Sequence, residues 1–211
     1  MSFNQTGTPN PYAPYPPAPA TAPPVRRGRW AGPLLMIATI TMGLMAGLFF
    51  AFDVSVMPGL AKADDRVYVA AMQNFNALID GSGLFGMVFM GALVATGVAA
   101  FLEHRQGRRG VALWIGAATV LYLIALIVTF SVNIPLNNEL ADAGNAAKMT
   151  DFAIVDKFKG TWESTNILRT LLCTAALGFL ARALVLHGRG TGADTASGAA
   201  PGSPAMRPYG V

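Results

Sequence analysis

A chain of 211 residues that is 53% hydrophobic and only 12% charged carries too little polar surface to coat a water-soluble domain of its size. Its formal charge of +4 sits in short runs beside apolar segments, not along a soluble face, so no nucleic-acid partner is expected. A single cysteine, Cys173, excludes an intramolecular disulfide and reads as a small packing residue.

Uncharged runs from Ala31 to Phe52, Gly81 to Leu102 and Gly110 to Asn138 are each long enough to cross a bilayer core. A fourth, Ile167 to Leu186, has Arg169 near one end and Arg182 near the other, and reads as a span because both arginines reach an interface. The predicted fold is all-α, a polytopic membrane four-helix bundle with an amphipathic exterior helix in each long loop. It divides into a disordered Pro-rich tail, 1–29, a four-span membrane domain, 30–187, and a disordered Gly/Ala/Pro-rich tail, 188–211.

Residues Met1 to Val25, with Tyr12 and Tyr15 among many prolines, predict polyproline character and no core. Trp30 falls where an interfacial aromatic belongs. The first span is too long for a signal-peptide h-region and is expected to stay uncleaved. It holds Gly43 and Gly47 at small-xxx-small spacing, puts Asp53 at its exterior boundary, and is expected to break at Pro58 and Gly59. In the adjoining loop, Val67, Ala71, Met72, Phe75, Leu78 and Ile79 share a helical face, with Asp64 or Asp65 as N-cap. Gln73 and Asn76, three apart, are placed to point together into the mouth of the bundle, or simply to face water.

The glycines of the second span, Gly83, Gly86, Gly91 and Gly97, predict close helix packing, and Glu103 to Arg109 a short basic turn. In the third span, Pro135 between Asn133 and Asn137 predicts a kink or stop, with the amides either capping freed carbonyls or aimed at the mouth. After a loop, Thr150 or Asp151 caps a helix with Phe152, Val155, Phe158 and Trp162 on its apolar side; it runs into the fourth span or bends at Gly160. Trp162, Asn166 and Arg169 then share a stripe that Cys173 extends. Arg169 alone reads either as a snorkelling anchor or as a functional site.

The basic residues set the topology. Arg26, Arg27 and Arg29 precede the first span, Arg105, Arg108 and Arg109 fill the short link, and Arg182 and Arg189 lie at and beyond the end of the fourth, so both termini are expected in the cytoplasm of a cell-membrane protein.

V-S-V-M-P-G-L after the first span, A-A-M-Q-N-F-N in the loop helix, V-N-I-P-L-N-N after the third span and W-E-S-T-N-I-L-R heading the fourth together resemble the anthrone oxygenase family, over about residues 34 to 186. That family includes bacterial four-helix integral membrane proteins of unknown function. The resemblance implies a four-helix membrane fold and, from some fungal members, oxidation of an anthrone to a quinone without metal or flavin. Asp53 departs from the family pattern, in which a small hydroxyl residue is common.

The residues themselves offer no metal set, since His104 and His187 flank helix ends a bilayer away from the polar cluster, and no flavin or nicotinamide fingerprint, so no cofactor is expected. Cofactor-free oxidation of an acidic aromatic would need a base, groups to hold an oxyanion and a dry aromatic cavity. Arg169, Asn133 and Asn166 are the candidates for the oxyanion and Asp53 for the base. Gln73, Asn76, Phe75, Asn137 and Trp162 are the candidates for binding substrate. The competing reading is a non-catalytic membrane protein whose mouth binds a lipid, a quinone or a partner, with an Asp53 to Arg169 ion pair; the partners expected are the bilayer and a small aromatic or lipid ligand.

Overall fold

A computed structural model describes residues 30–198, with side chains described for 30–190. Helix α1 (Ala31–Ala51) passes through a π-helical turn (Phe52–Val56) into α2 (Met57–Leu60), and α3 (Asp65–Asp80) lies in the first long loop. Helices α4 (Gly83–Arg105) and α5 (Arg109–Val128) come next, then a second π-helical turn (Thr129–Asn133), α6 (Ile134–Asp142) and a long α7 (Ala153–Gly198). Four stretches are long and apolar enough to cross a membrane: Ala31–Leu60, Gly83–Arg105, Arg109–Asp142 and Ala153–Gly190. Only 22–33% of their most apolar windows is buried inside the bundle, so most of their apolar surface faces outward, as lipid-exposed helices require. The chain is an all-α, multi-pass membrane protein.

The four spans form a square in which α1 and α5 each pack against both α4 and α7. Every adjacent pair is antiparallel, as expected where successive spans cross in opposite directions. The seams are built from small residues, with Ala92, Ala95 and Ala99 of α4 facing Ala118 and Ala125 of α5 and Cys173, Ala176 and Ala183 of α7 across one core. Small side chains let helices approach closely where no hydrophobic effect drives them together. The glycines expected to do this do not: a Cβ on Gly83, Gly86, Gly91 or Gly97 would touch nothing. Gly83 and Gly86 are exposed and Gly91 and Gly97 half-buried, and the alanines three and four apart carry the contact.

The first helix ends at Leu60, just after Pro58 and Gly59, while Pro135 is passed, and each proline is preceded by a wide turn. Met57 N–H bonds to Phe52 O and Ile134 N–H to Thr129 O, each five residues back, and Pro58 and Pro135 come next. The wide turn accommodates an imino ring that would clash with a carbonyl one α-helical turn earlier. One extra residue in each turn also rotates the downstream helix by roughly 100° about its axis. Of the kink or stop expected at Pro135, the stop does not occur: the third-span helix widens at the π-helical turn and runs on to Asp142.

Helix α3 caps one end of the square. It does not bury the face its apolar pattern predicts: Tyr68, Val69, Met72 and Asn76 point inward, while Val67, Phe75 and Leu78 are exposed. At a membrane surface an apolar side chain is tolerated both toward core and toward lipid, so periodicity does not select between them. Tyr68, Val69 and Met72 pack with Leu140, Val155, Phe158 and Trp162 into a second core above the bundle. Burial, then the nearby Glu163 charge, pushes the Tyr68 phenol well above its ordinary value, so it stays neutral. The amphipathic helix expected in the second loop is present as the first turns of α7, which runs unbroken past Gly160.

At the opposite end, Glu103 is fully buried, with Oε1 2.6 Å from His187 Nδ1 and Arg108 bridging to both. The predicted basic turn thus ties the α4–α5 link to α7. Gly32 allows α1 to join them, since a Cβ there would meet His187 Nε2 at 3.0 Å. Helical backbone continues beyond this clamp through 188–198, where composition predicts a tail; the rest of that tail, and the expected tail 1–29, lie outside the described residues.

Candidate functional site

Because α7 is continuous, Arg169 lies about 24 Å along the helix from Ala153 at 1.5 Å per residue. It is 5% exposed, which overturns the anchor reading: a snorkelling side chain leaves its head in water. A buried guanidinium at this depth requires partners, and it has them. Nη1 donates to Thr129 Oγ1 at 3.3 Å and Nη2 to Asn166 Oδ1 at 2.7 Å, while the Phe49 and Trp162 rings lie 4.4 and 5.5 Å from its carbon.

Asn166 is the hub. Its Nδ2 donates to Phe49 O at 2.9 Å and to Asp53 Oδ1, so its oxygen must face the guanidinium. Asp53 also accepts from the Thr170 hydroxyl. The direct Asp53 to Arg169 ion pair of the competing reading is absent; the amide stands between the two charges.

Between these groups and α3 is a cavity of about 210 Å³, bounded by Phe49, Phe52, Phe85, Phe89, Phe130 and Trp162. A cavity of about 150 Å³ already takes a benzene ring, so this one holds a ring with space to spare. Three buried polar atoms on its lining residues have no protein partner: Arg169 Nε, Asn76 Nδ2 and Asn133 Oδ1. For Asn133 the orientation is forced. Thr165 gives its one hydroxyl hydrogen to Thr161 O or Trp162 O, so it must accept from Asn133 Nδ2, at 2.9 Å, which leaves Oδ1 for something else. Met90 and Phe130, 44% and 53% exposed within their spans, are also lining residues, so the cavity reaches the lipid-facing side between α4 and α5.

Of the sequence-derived candidates, Asn76, Asn133, Asn137, Trp162, Asn166 and Arg169 are brought together on this cavity. Asn137 accepts from Trp162 Nε1 at 2.9 Å, which fixes the indole. Three others lie elsewhere. Gln73 turns away and donates to Leu140 O and Gly144 O, at 2.8 and 2.9 Å, where Gly144 at φ +89° ends α6. Phe75 meets the edge of Phe52 outside the cavity, and Asp53 lines an outer crevice with Glu163 and Ile167. With its oxygens held by Asn166 and Thr170, Asp53 serves to position Asn166.

Sequence reasoning missed Thr129, which looks like any span threonine, and the phenylalanines of α4, which look like lipid-facing ones. Asp80, which no motif singles out, also lines the cavity.

The anthrone oxygenase family matches residues 82–179. That stretch belongs to the anthrone oxygenase family. It covers α4 to the middle of α7, hence Asn133, Asn166 and Arg169, and leaves outside it α1 with Asp53 and α3 with Asn76 and Asp80. No curated protein and no solved structure matches the chain.

Proposed function

We propose that this protein is a cofactor-independent oxygenase of the anthrone oxygenase type, acting on a small polycyclic aromatic held in the cavity above the bundle core. The observation that carries it is the trio of buried polar atoms without protein partners, Arg169 Nε, Asn76 Nδ2 and Asn133 Oδ1, set in walls of aromatic rings. An unpaired buried donor or acceptor costs about 1–3 kcal/mol, more for a charged group, so three on residues that line one cavity favour a polar ligand that these side chains turn to meet.

An anthrone fits those demands chemically. Loss of a proton from its methylene group gives an anion whose charge lies largely on the carbonyl oxygen, and the guanidinium and amide N–H groups would hold that oxygen. The carbanion carbon then adds dioxygen, the peroxide anion takes up a proton, and the resulting hydroperoxide loses water. One O2 is consumed, one oxygen atom enters the quinone and the other leaves as water. The rings exclude bulk water from the reacting carbon.

The same reading puts the cavity on the exterior side of the cell membrane and both termini in the cytoplasm, from the arginines flanking the first span and filling the short link. A second reading, binding of a lipid or quinone without turnover, is favoured by the Met90 and Phe130 side of the cavity, which meets hydrocarbon. The deciding experiment uses the full chain in lipid nanodiscs with anthrone in air. Oxygen uptake with matching anthraquinone formation, lost in Arg169→Leu, supports the oxygenase; quenching by anthrone of Trp162 emission, read here and below in a Trp30→Phe, Trp114→Phe background, with no oxygen uptake supports the binder.

A further inference from the structure

We propose that Asp80, and not Asp53, is the general base that takes the carbon-bound proton of the aromatic substrate. This deepens the oxygenase reading and rests on it.

Among the described residues, Asp80 is the one acidic residue that lines the aromatic cavity. Five other acids at this end of the bundle are committed elsewhere, and Asp142, Asp156 and Glu163 are not among the residues that line this cavity. Asp53 is held by Asn166 and Thr170, Asp64 caps α3 through Val67 N, and Asp151 accepts from Ala153 N. Asp65 pairs with Lys159 and Glu139 with Lys157. Among the described residues Asp80 takes part in no ion pair or cap of this kind, and stability gives no reason for an acid at its position. It is the last residue of α3, against the negative end of the helix dipole, and the final turn contains no basic residue.

Its place matches the task. Asn76, whose Nδ2 lacks a partner, lies four residues before Asp80, so α3 presents an amide and a carboxylate on the face that covers the cavity. Arg169 is buried within the bundle, whereas Asp80 is exposed at the rim. A base at the rim passes its proton to water, and a cation in the dry interior holds the resulting oxyanion. In the step itself the substrate C–H bond breaks, its electron pair stays on the substrate and delocalises onto the carbonyl oxygen, and an O–H bond forms on Asp80. No oxidant takes part.

That last property separates this step from oxygenation. Under argon in D2O, the full chain in nanodiscs should catalyse exchange of the methylene hydrogens of anthrone for deuterium, measured by mass spectrometry. In Asp80→Asn the catalysed exchange should fall by about 10²- to 10⁴-fold, while quenching of Trp162 emission by anthrone is unchanged. Asp142→Asn, at the end of α6 outside the cavity, should exchange at the wild-type rate, and Asp53→Asn should retain exchange wherever it retains anthrone binding. Asp80 is refuted as the base if Asp80→Asn exchanges at the wild-type rate, if it loses anthrone binding together with exchange, or if wild type shows no exchange above the protein-free rate. Exchange that depends on Asp80 without oxygen uptake in air would leave the base assigned and remove the oxygenase reading.

Discussion

Asp53 and Arg169, on different helices, are joined through the two ends of one amide: Asn166 donates to the carboxylate and accepts from the guanidinium. The charges offset one another without touching, and Arg169 Nε is left without a protein partner. A direct ion pair would turn the cation toward the acid; the relay holds it beside the Phe49 and Trp162 rings.

Asn166→Ala should therefore destabilise the protein strongly. It leaves one arm of Arg169 without its acceptor in a buried setting and one oxygen of half-buried Asp53 without its donor, a loss of about 3 kcal/mol or more. Thermal unfolding in detergent measures it, and a shift within the scatter of surface variants would mean that the relay contributes nothing to the fold.

Arg169→Leu should insert and fold, because leucine suits the span interior better than a cation does, yet lose anthrone binding. Arg169→Lys should also lose at least about tenfold in affinity, since an ammonium cannot reproduce planar stacking between two rings together with paired N–H bonds. Titration of Trp162 emission reads both variants. Full affinity in both would remove Arg169 from the site.

Chelators should leave oxidation intact, as should Cys173→Ala. Among the described residues the cavity is lined by amides, rings, one guanidinium and the single carboxylate of Asp80, which is no ligand set for a transition metal, and Cys173 is buried in the packing seam. Oxygen uptake before and after dialysis against a chelator is the measurement. Activity lost on chelation and restored by one metal would contradict it.

Reporter fusions at the two ends should both report a cytoplasmic location, given four spans and the arginines beside them. An active periplasmic reporter at the C-terminus would overturn this orientation.

Local composition was enough to find the spans, because crossing hydrocarbon is a demand on every residue of a stretch and is satisfied or not within that stretch. It also singled out Arg169, the one cation deep in an apolar run, and the stripe from Trp162 through Asn166, since these share a single helix. What the sequence did not determine is how separate helices are turned toward one another. Each π-helical turn rotates the residues after it by roughly 100°, the proline motif alone does not say whether a helix breaks or widens, and the apolar residues of α3 suit both core and lipid. Only the tertiary arrangement therefore separated Asp53, which buttresses Asn166, from Asp80, which reaches the cavity: two acids at helix ends are alike until the neighbouring helices fix which one faces the enclosed space.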